Sequence, residues 1–161
     1  EFVAAVKDYP VTILDTRKTV PGLRVLDKYA VRCGGATNHR MTLSDLAMIK
    51  DNHIKLAGGI TAAVAKLRQS APGARIEVET ETLDDVREAL AAGADIIRLD
   101  NMRPEVMREA VRLVGDRAQT EASGNVRLDT IQAIAATGVN FISIGALTHS
   151  VKALDISMKM A

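Results

Sequence analysis

Short apolar runs that end in polar residues recur along this chain, and a segment with helical spacing comes after each one. The runs are Val11–Asp15, Leu46–Lys50, Ile76–Glu79, Ile96–Asp100, Gln119–Ser123 and Phe141–Gly145. All are of strand length. The later run-ends Glu79, Asp100, Glu121 and Gly145 are separated by 21, 21 and 24 residues, the length of one strand–helix unit with short loops.

The intervening helices have readable ends. Thr82 suits the N-cap of a helix over Leu83–Ala92, with Asp85 in its first turn and Gly93 as its stop. Pro104 suits the first helical position of the next. Leu128–Ala136 stops at Gly138, and Gly59–Ser70 is ended by Ala71-Pro72-Gly73. Leu23–Tyr29 reads as helical, and Gly34-Gly35 and Asn38 make the next stretch irregular. Glu1–Pro10 reads as the tail of a helix running into a strand rather than as a signal peptide, so a piece of a longer chain is expected.

Alternating strands and helices imply a parallel sheet. In a barrel, apolar side chains face the helices and the other parity faces the axis. Ile76 and Val78 then point outward, with Glu77 and Glu79 inward; Ile97 and Leu99 point outward, with Arg98 and Asp100 inward. Inward charges are costly unless paired or used. Arg98 is therefore expected to neutralise Glu77 on the adjacent strand, within about 6 Å. Six strands fall short of a full barrel, which takes about 200–250 residues. The expectation is an α/β fold: an irregular, incomplete parallel α/β barrel of fewer than eight strands, forming one domain over residues 1–161.

Composition narrows the function. The 161 residues are 47% hydrophobic and 25% charged, ordinary for a globular protein that can bury a core. Aromatics make up 2% and Trp is absent, so the core must be aliphatic and there are few platforms for stacking nucleic-acid bases. No Lys/Arg run gives an electrostatic footprint for nucleic acid. No apolar run approaches the ~20 residues of a membrane span. Cys33 is the only cysteine; it excludes an internal disulfide, fits a reducing cytoplasm and reads as a small core residue.

Net charge is only +1, yet Arg17, Lys18, His39, Arg40, Lys50 and His53 gather in one stretch. Concentrated cations among apolar runs suggest a pocket for a small polyanion. Function in such barrels sits at the C-terminal ends of the strands. Those ends supply the cations just named and the carboxylates Glu79 and Asp100, which suit a hard ion such as Mg²⁺ together with substrate phosphates. They also supply Ser123-Gly124-Asn125 and Gly145-Ala146-Leu147, small residues expected to present backbone N–H groups at helix N-termini to a phosphate. Each element has a plainer reading as well. Glu79 and Asp100 can form a structural charge network, His39 can be a satisfied polar core residue, and His53 can cap a loop. His149 can face either a phosphate or solvent.

The run Asp15-Thr16-Arg17-Lys18-Thr19-Val20-Pro21-Gly22-Leu23-Arg24 is succeeded by Lys28-Tyr29-Ala30-Val31, Gly34-Gly35, Asn38-His39-Arg40 and Ile49-Lys50-Asp51-Asn52-His53. Glu77-Val78-Glu79, Leu99-Asp100-Asn101, Glu121-Ala122-Ser123-Gly124 and Gly145–Ser150 come after. In this order, over essentially the whole chain, they resemble the quinolinate phosphoribosyltransferase family (nicotinate-nucleotide pyrophosphorylase, carboxylating). The resemblance implies transfer of phosphoribose from phosphoribosyl pyrophosphate to quinolinate, with loss of CO₂, in cytoplasmic NAD biosynthesis. It implies that Thr16, Arg17, His39, Arg40 and Lys50 hold the dicarboxylate and that Lys18 lies between the substrates. Glu79 and Asp100 would serve the ribose hydroxyls and Mg²⁺, and Ser123, Gly124, Gly145 and His149 the 5′-phosphate. Lys18, Glu79 and Asp100 are the implied catalytic residues.

Two departures accompany the resemblance. Ala122 stands where a second Ser is common. The family's N-terminal sandwich domain, which packs on a partner's barrel in a homodimer or higher oligomer and carries a further substrate-binding Arg, is not in this chain. Three rivals remain: a sibling transferase acting on nicotinate, an aldolase or isomerase barrel with Lys50 as Schiff-base amine, and a non-catalytic phosphate-binding barrel.

Overall fold

The computed structural model describes residues 1–160. Its elements run α1 (Phe2–Ala5), β1 (Thr12–Leu14), α2 (Arg24–Cys33), β2 (Ala47–Ile49), α3 (Asp51–Ala57), α4 (Ile60–Ser70) and β3 (Ile76–Thr80). They continue α5 (Leu83–Ala91), β4 (Ile96–Asp100), α6 (Pro104–Val114), β5 (Gln119–Ser123), α7 (Ile131–Ala135), β6 (Phe141–Ser143) and α8 (Ala146–His149).

All six strands are parallel, in the order β1-β6-β5-β4-β3-β2. The first strand thus returns to pair with the last, as in a closing barrel, while β1 and β2 form the two edges. The Thr37 backbone lies beside β1 on the side away from β6, donating to Ile13 O at 2.9 Å and accepting from Asp15 N at 3.3 Å. That edge placement sets His39 and Arg40 next to the strand ends.

The strand parity read from sequence holds. Ile76, Val78, Ile97, Leu99, Ala122 and Ile142 are fully buried and pack with Val86, Ala89, Met107, Ala110 and Ile131 from the covering helices. Glu77, Arg98 and Glu121 point the other way and are also buried. Arg98 Nε donates to Glu77 Oε1 at 2.5 Å, the expected pairing. Thr82 caps α5 in a reciprocal box: its hydroxyl accepts from Asp85 N at 3.1 Å, and its own N–H donates to Asp85 Oδ2 at 2.9 Å. Pro104 occupies the first turn of α6.

Three local readings change. Helix α2 runs past Tyr29 to Cys33, and Cys33 is exposed rather than buried, because the face of α2 turned inward carries Lys28 and Val31. Helix α7 begins at Ile131 instead of Leu128, because the Thr130 hydroxyl accepts from Arg127 N at 3.1 Å and holds residues 127–130 in a turn. Ser123-Gly124-Asn125 therefore does not sit at a helix N-terminus; a loop separates it from α7. Among the described residues, no helix is long and apolar enough to cross a membrane.

Candidate active site

A cavity of about 660 Å³ opens at the C-terminal ends of the strands. Its lining includes Thr16, Arg17, Lys18, His39, Arg40 and Lys50 from the first part of the chain. Glu79, Asp100, Ser123, Gly124, Gly145 and His149 join them from the later strand ends. The topology thus gathers into one space all the site residues expected from the family resemblance. His53 is not among the lining residues; its Nδ1 accepts from Lys50 N at 3.1 Å and caps α3.

The cationic group is short of partners. Arg17 Nε is buried and has no hydrogen-bond partner among the described residues. Arg40 donates to Leu46 O at 2.9 Å and reaches Met48 Sδ at 3.4 Å. Burial, and then the neighbouring charge of Arg17, hold the Arg40 guanidinium below its ordinary pKa. Two guanidinium groups crowded together, one with an orphaned donor, make this side of the cavity strongly attractive to anions.

The carboxylate group is already engaged. Glu79 Oε2 accepts from Lys50 Nζ at 2.6 Å. Asp100 accepts from the Ser123 hydroxyl and from Asn101 Nδ2, each at 2.6 Å. Asn125 Nδ2 donates to Asn101 Oδ1 at 3.0 Å, linking the loops after β4 and β5. Asn101 and Asn125 both adopt left-handed backbone, with φ of 53° and 50°. Uncommon backbone held by a side-chain network is typical of positions that shape a ligand site. Asn101 and Asn125, both within motifs read from sequence, line the cavity; Arg127 lines it without being foreseen, because it comes from the loop after β5 rather than from a strand end.

Below the cavity lies a buried charge layer. Arg98 Nη2 lies 2.7 Å from Glu121 Oε1, in addition to the Glu77 bond. Burial opposes charge on all these groups. The charges of Glu121 and Glu77 nevertheless raise Arg98 above its ordinary value, and the His39 hydrogen bond and Arg98 charge hold Glu77 below its own. His39, Glu77 and Glu121 bring donor atoms within 4.8 Å of one another, as a metal site would, but the Arg98 guanidinium already supplies the positive charge there.

His39 itself is turned inward. Its Nδ1 accepts from the Arg40 amide at 2.8 Å, and its Nε2 faces Glu77 and Glu121 at 3.4 and 3.3 Å. Burial disfavours a charged ring, but the hydrogen bonds and the charges of Glu121 and Glu77 outweigh it and raise the imidazole to about 9. The Arg40 amide works in the opposite sense, because a second proton could be bound only at Nδ1.

The sequence and the fold match known proteins. The family model for the C-terminal domain of quinolinate phosphoribosyl transferase matches residues 1–159. The chain belongs to that family. A probable nicotinate-nucleotide pyrophosphorylase (carboxylating) of Bacillus subtilis is 54% identical over 98% of this chain and 55% of its own length. The chloroplastic nicotinate-nucleotide pyrophosphorylase (carboxylating) of Arabidopsis thaliana is 51% identical over 94% of this chain and 49% of its own. Among solved structures, NadC from Streptococcus pyogenes superposes with a TM-score of 0.93 at 47% identity, covering 99% of this chain and 56% of that one. The chain spans about half the length of the curated relatives it matches.

Proposed function

We propose that this chain is the catalytic barrel of a quinolinate phosphoribosyltransferase, moving phosphoribose from phosphoribosyl pyrophosphate to quinolinate and releasing CO₂ and pyrophosphate. The product, nicotinate mononucleotide, places the reaction in NAD biosynthesis. The observation that carries the reading is the single cavity in which Arg17, with its unpartnered Nε, and Arg40 share one space with Glu79, Asp100 and the residues after β5 and β6.

Arg17, Arg40 and Lys50, with Thr16, hold the substrate's two carboxylates and orient its ring nitrogen towards the ribose, while His39 lines the pocket with its ring nitrogens already engaged. Attack by the nitrogen lone pair forms the N–C1 bond as the C1–oxygen bond breaks, its electron pair leaving with pyrophosphate. Positive charge develops on the ribose in that step, and Glu79 and Asp100 stabilise it. Lys18 stands where the two substrates meet. Ser123, Gly124, Gly145 and His149 receive the 5′-phosphate. The second step breaks the bond between the ring and the carboxylate next to its nitrogen, leaving an electron pair that the cationic ring supports until a proton is taken up.

Glu79 and Asp100 fit a divalent cation by their chemistry: two hard carboxylates at the cavity wall, already positioned by Lys50 and Ser123, are the number Mg²⁺ takes alongside substrate phosphates. When bound, Mg²⁺ would neutralise the leaving pyrophosphate. A homodimer or higher oligomer and a cytoplasmic site belong to the same proposal.

The test is release of labelled CO₂ from quinolinate labelled at its 2-carboxylate, with phosphoribosyl pyrophosphate and Mg²⁺. It would compare the 161-residue chain with a chain extended to the length of its relatives. Turnover by the extended chain supports the proposal. Failure of both folded proteins, with turnover of nicotinate instead, would assign the sibling reaction.

A further inference from the structure

Every polar group of His39 has a protein partner. Its N–H donates to Asp15 Oδ1 at 2.8 Å, and its C=O accepts from Lys28 Nζ at 3.0 Å. On the ring, Nδ1 accepts from the Arg40 amide at 2.8 Å. Nε2 meets Glu77 Oε2, Glu121 Oε2 and Arg98 Nη2 at 3.4, 3.3 and 3.0 Å.

These contacts decide the tautomer. A neutral imidazole offers one donor and one acceptor, yet two N–H donors approach this ring, one from the Arg40 amide and one from Arg98. The amide is fixed by the backbone. The Arg98 guanidinium donates from Nε to Glu77 Oε1 at 2.5 Å and its Nη2 stands in ionic contact with Glu121 Oε1 at 2.7 Å, so it does not depend on the ring for a partner. Nε2 also faces buried carboxylate oxygens, Glu77 Oε2 and Glu121 Oε2, that have no other hydrogen-bond partner among the described residues. The proton therefore belongs on Nε2, and Nδ1 is the acceptor.

We propose that Glu77 and Glu121 are positioning residues of the anion pocket. By holding the Nε2–H of His39 they reserve Nδ1 for the Arg40 amide, and so fix the backbone from which Arg40 reaches the cavity. Neither acid lines the cavity, so neither would touch substrate. The inference rests on the dicarboxylate reading of the pocket and extends it inward: the pocket's selectivity depends on a charge layer beneath it. Supporting groups of this kind fix ring orientation and tautomer, and loosening them misplaces the residues they hold.

Ring-nitrogen NMR of the histidine-labelled chain tests this without mutation. There are only three histidines, and His39→Gln assigns the signal. The expected result is a neutral ring with Nε2 protonated and Nδ1 bare at neutral pH, because the Arg40 amide occupies Nδ1 at 2.8 Å and outweighs the upward pull of the two acids. A ring protonated at Nδ1, alone or in addition to Nε2, would overturn the proposal.

Glu121→Gln then tests the link to function. Its expected effects are loss of the Nε2–H preference and a rise of at least about tenfold in KM for quinolinate, with kcat and the KM for phosphoribosyl pyrophosphate within about twofold. Glu121→Asp, which keeps the carboxylate, should recover part of that loss. A changed tautomer with an unchanged quinolinate KM would overturn the proposal, because it would confine the acids to a structural role. Absence of quinolinate turnover in the unmodified extended protein would instead refute the proposed function, while the NMR arm still decided the tautomer.

Discussion

Lys50 Nζ and Glu79 Oε2 lie 2.6 Å apart, tying the residue after β2 to β3 at the cavity wall. The Lys50 side chain is 42% exposed and that of Glu79 16%, so water screens the pair. Its contribution to folding is at most about 1 kcal/mol. Lys50→Met should therefore shift the urea midpoint little, yet weaken quinolinate binding by more than about tenfold, because a substrate carboxylate loses a charged partner. A large loss of stability with intact binding would make Lys50 a scaffold residue.

Arg40 has the greater effect, because its guanidinium is partly buried and shares the cavity with Arg17. Arg40→Ala removes one charged contact to a dianion, a loss of roughly 3 kcal/mol, or at least a hundredfold in kcat/KM for quinolinate. Steady-state kinetics of the variant would expose the error if turnover stayed near normal.

The legibility of each site residue in the sequence depends on where it sits. Ile96–Asp100 and Gln119–Ser123 match the strands to the residue, and within them Ile97, Leu99 and Ala122 face the helices while Arg98, Asp100, Glu121 and Ser123 face the axis, with Ile96 and Thr120 as exceptions. The site residues at those strand ends are legible from that alternation. The edge strands β1 and β2, and β6 beside β1, are shorter than their apolar runs, whose last residues Asp15, Lys50 and Gly145 lie at the cavity. The inward Lys28 is illegible: a lysine in a helix reads as solvated, and only the distant Asp15 makes its burial possible. With Lys28 inward, Val25, Leu26 and Tyr29 are turned outward, which also defeats an amphipathic reading of α2. The tautomer-setting contacts of His39 join separate segments, which no local pattern encodes.

The buried pair itself is a stability element. Lys28 Nζ lies 2.5 Å from Asp15 Oδ1, both side chains fully buried, and Asn38 Nδ2 donates to Asp15 Oδ2 at 2.6 Å. Lys28→Met leaves Asp15 charged and without its cation, which should cost about 3–5 kcal/mol. Denaturant unfolding measures that loss. Asp15→Asn with Lys28→Met should recover much of it, because the double variant buries no charge; a double variant no more stable than Lys28→Met would contradict the ion-pair account.

Acid should loosen the segment after Arg40 only below the ordinary carboxylate range. Asp45 accepts from the Thr42 hydroxyl at 2.7 Å and from the Met41 and Thr42 amides at 2.8 and 3.1 Å. The Thr42 hydroxyl, and then the Thr42 and Met41 amides, hold its carboxyl below the ordinary carboxylate range. A lowered folded-state pKa contributes stability that is present above the unfolded value, about 3.9, and is lost as pH falls through the lowered one. The Met41 and Thr42 amide signals should therefore keep their neutral-pH positions down to about pH 4 and move only below it. Asp45→Asn should move them at neutral pH as well. An amide titration centred above the ordinary carboxylate value would show that the turn is held by something else.

Gly145 and His149 lie within one turn of each other at the start of α8, and the ring fills the space where a Gly145 side chain would be. A Cβ built there would stand 2.7 Å from His149 Nε2, closer than a real Cβ contact permits. The backbone at Gly145 is ordinary, with φ of −63° and ψ of −34°, so the obstacle is the ring alone. Gly145→Ala should push His149 outward without straining the chain, and the flexible, exposed ring makes the cost to folding small, within about 0.5 kcal/mol. If Gly145 and His149 receive the 5′-phosphate, the variant should raise KM for phosphoribosyl pyrophosphate by about tenfold and leave KM for quinolinate unchanged. His149→Ala in the same background separates the causes: it removes the ring and with it the clash. A double variant with the same phosphoribosyl pyrophosphate KM as His149→Ala alone would show that Gly145 acts only through the ring. A further loss would show that the added methyl blocks the phosphate directly. An unchanged KM in every variant would remove both residues from the phosphate site.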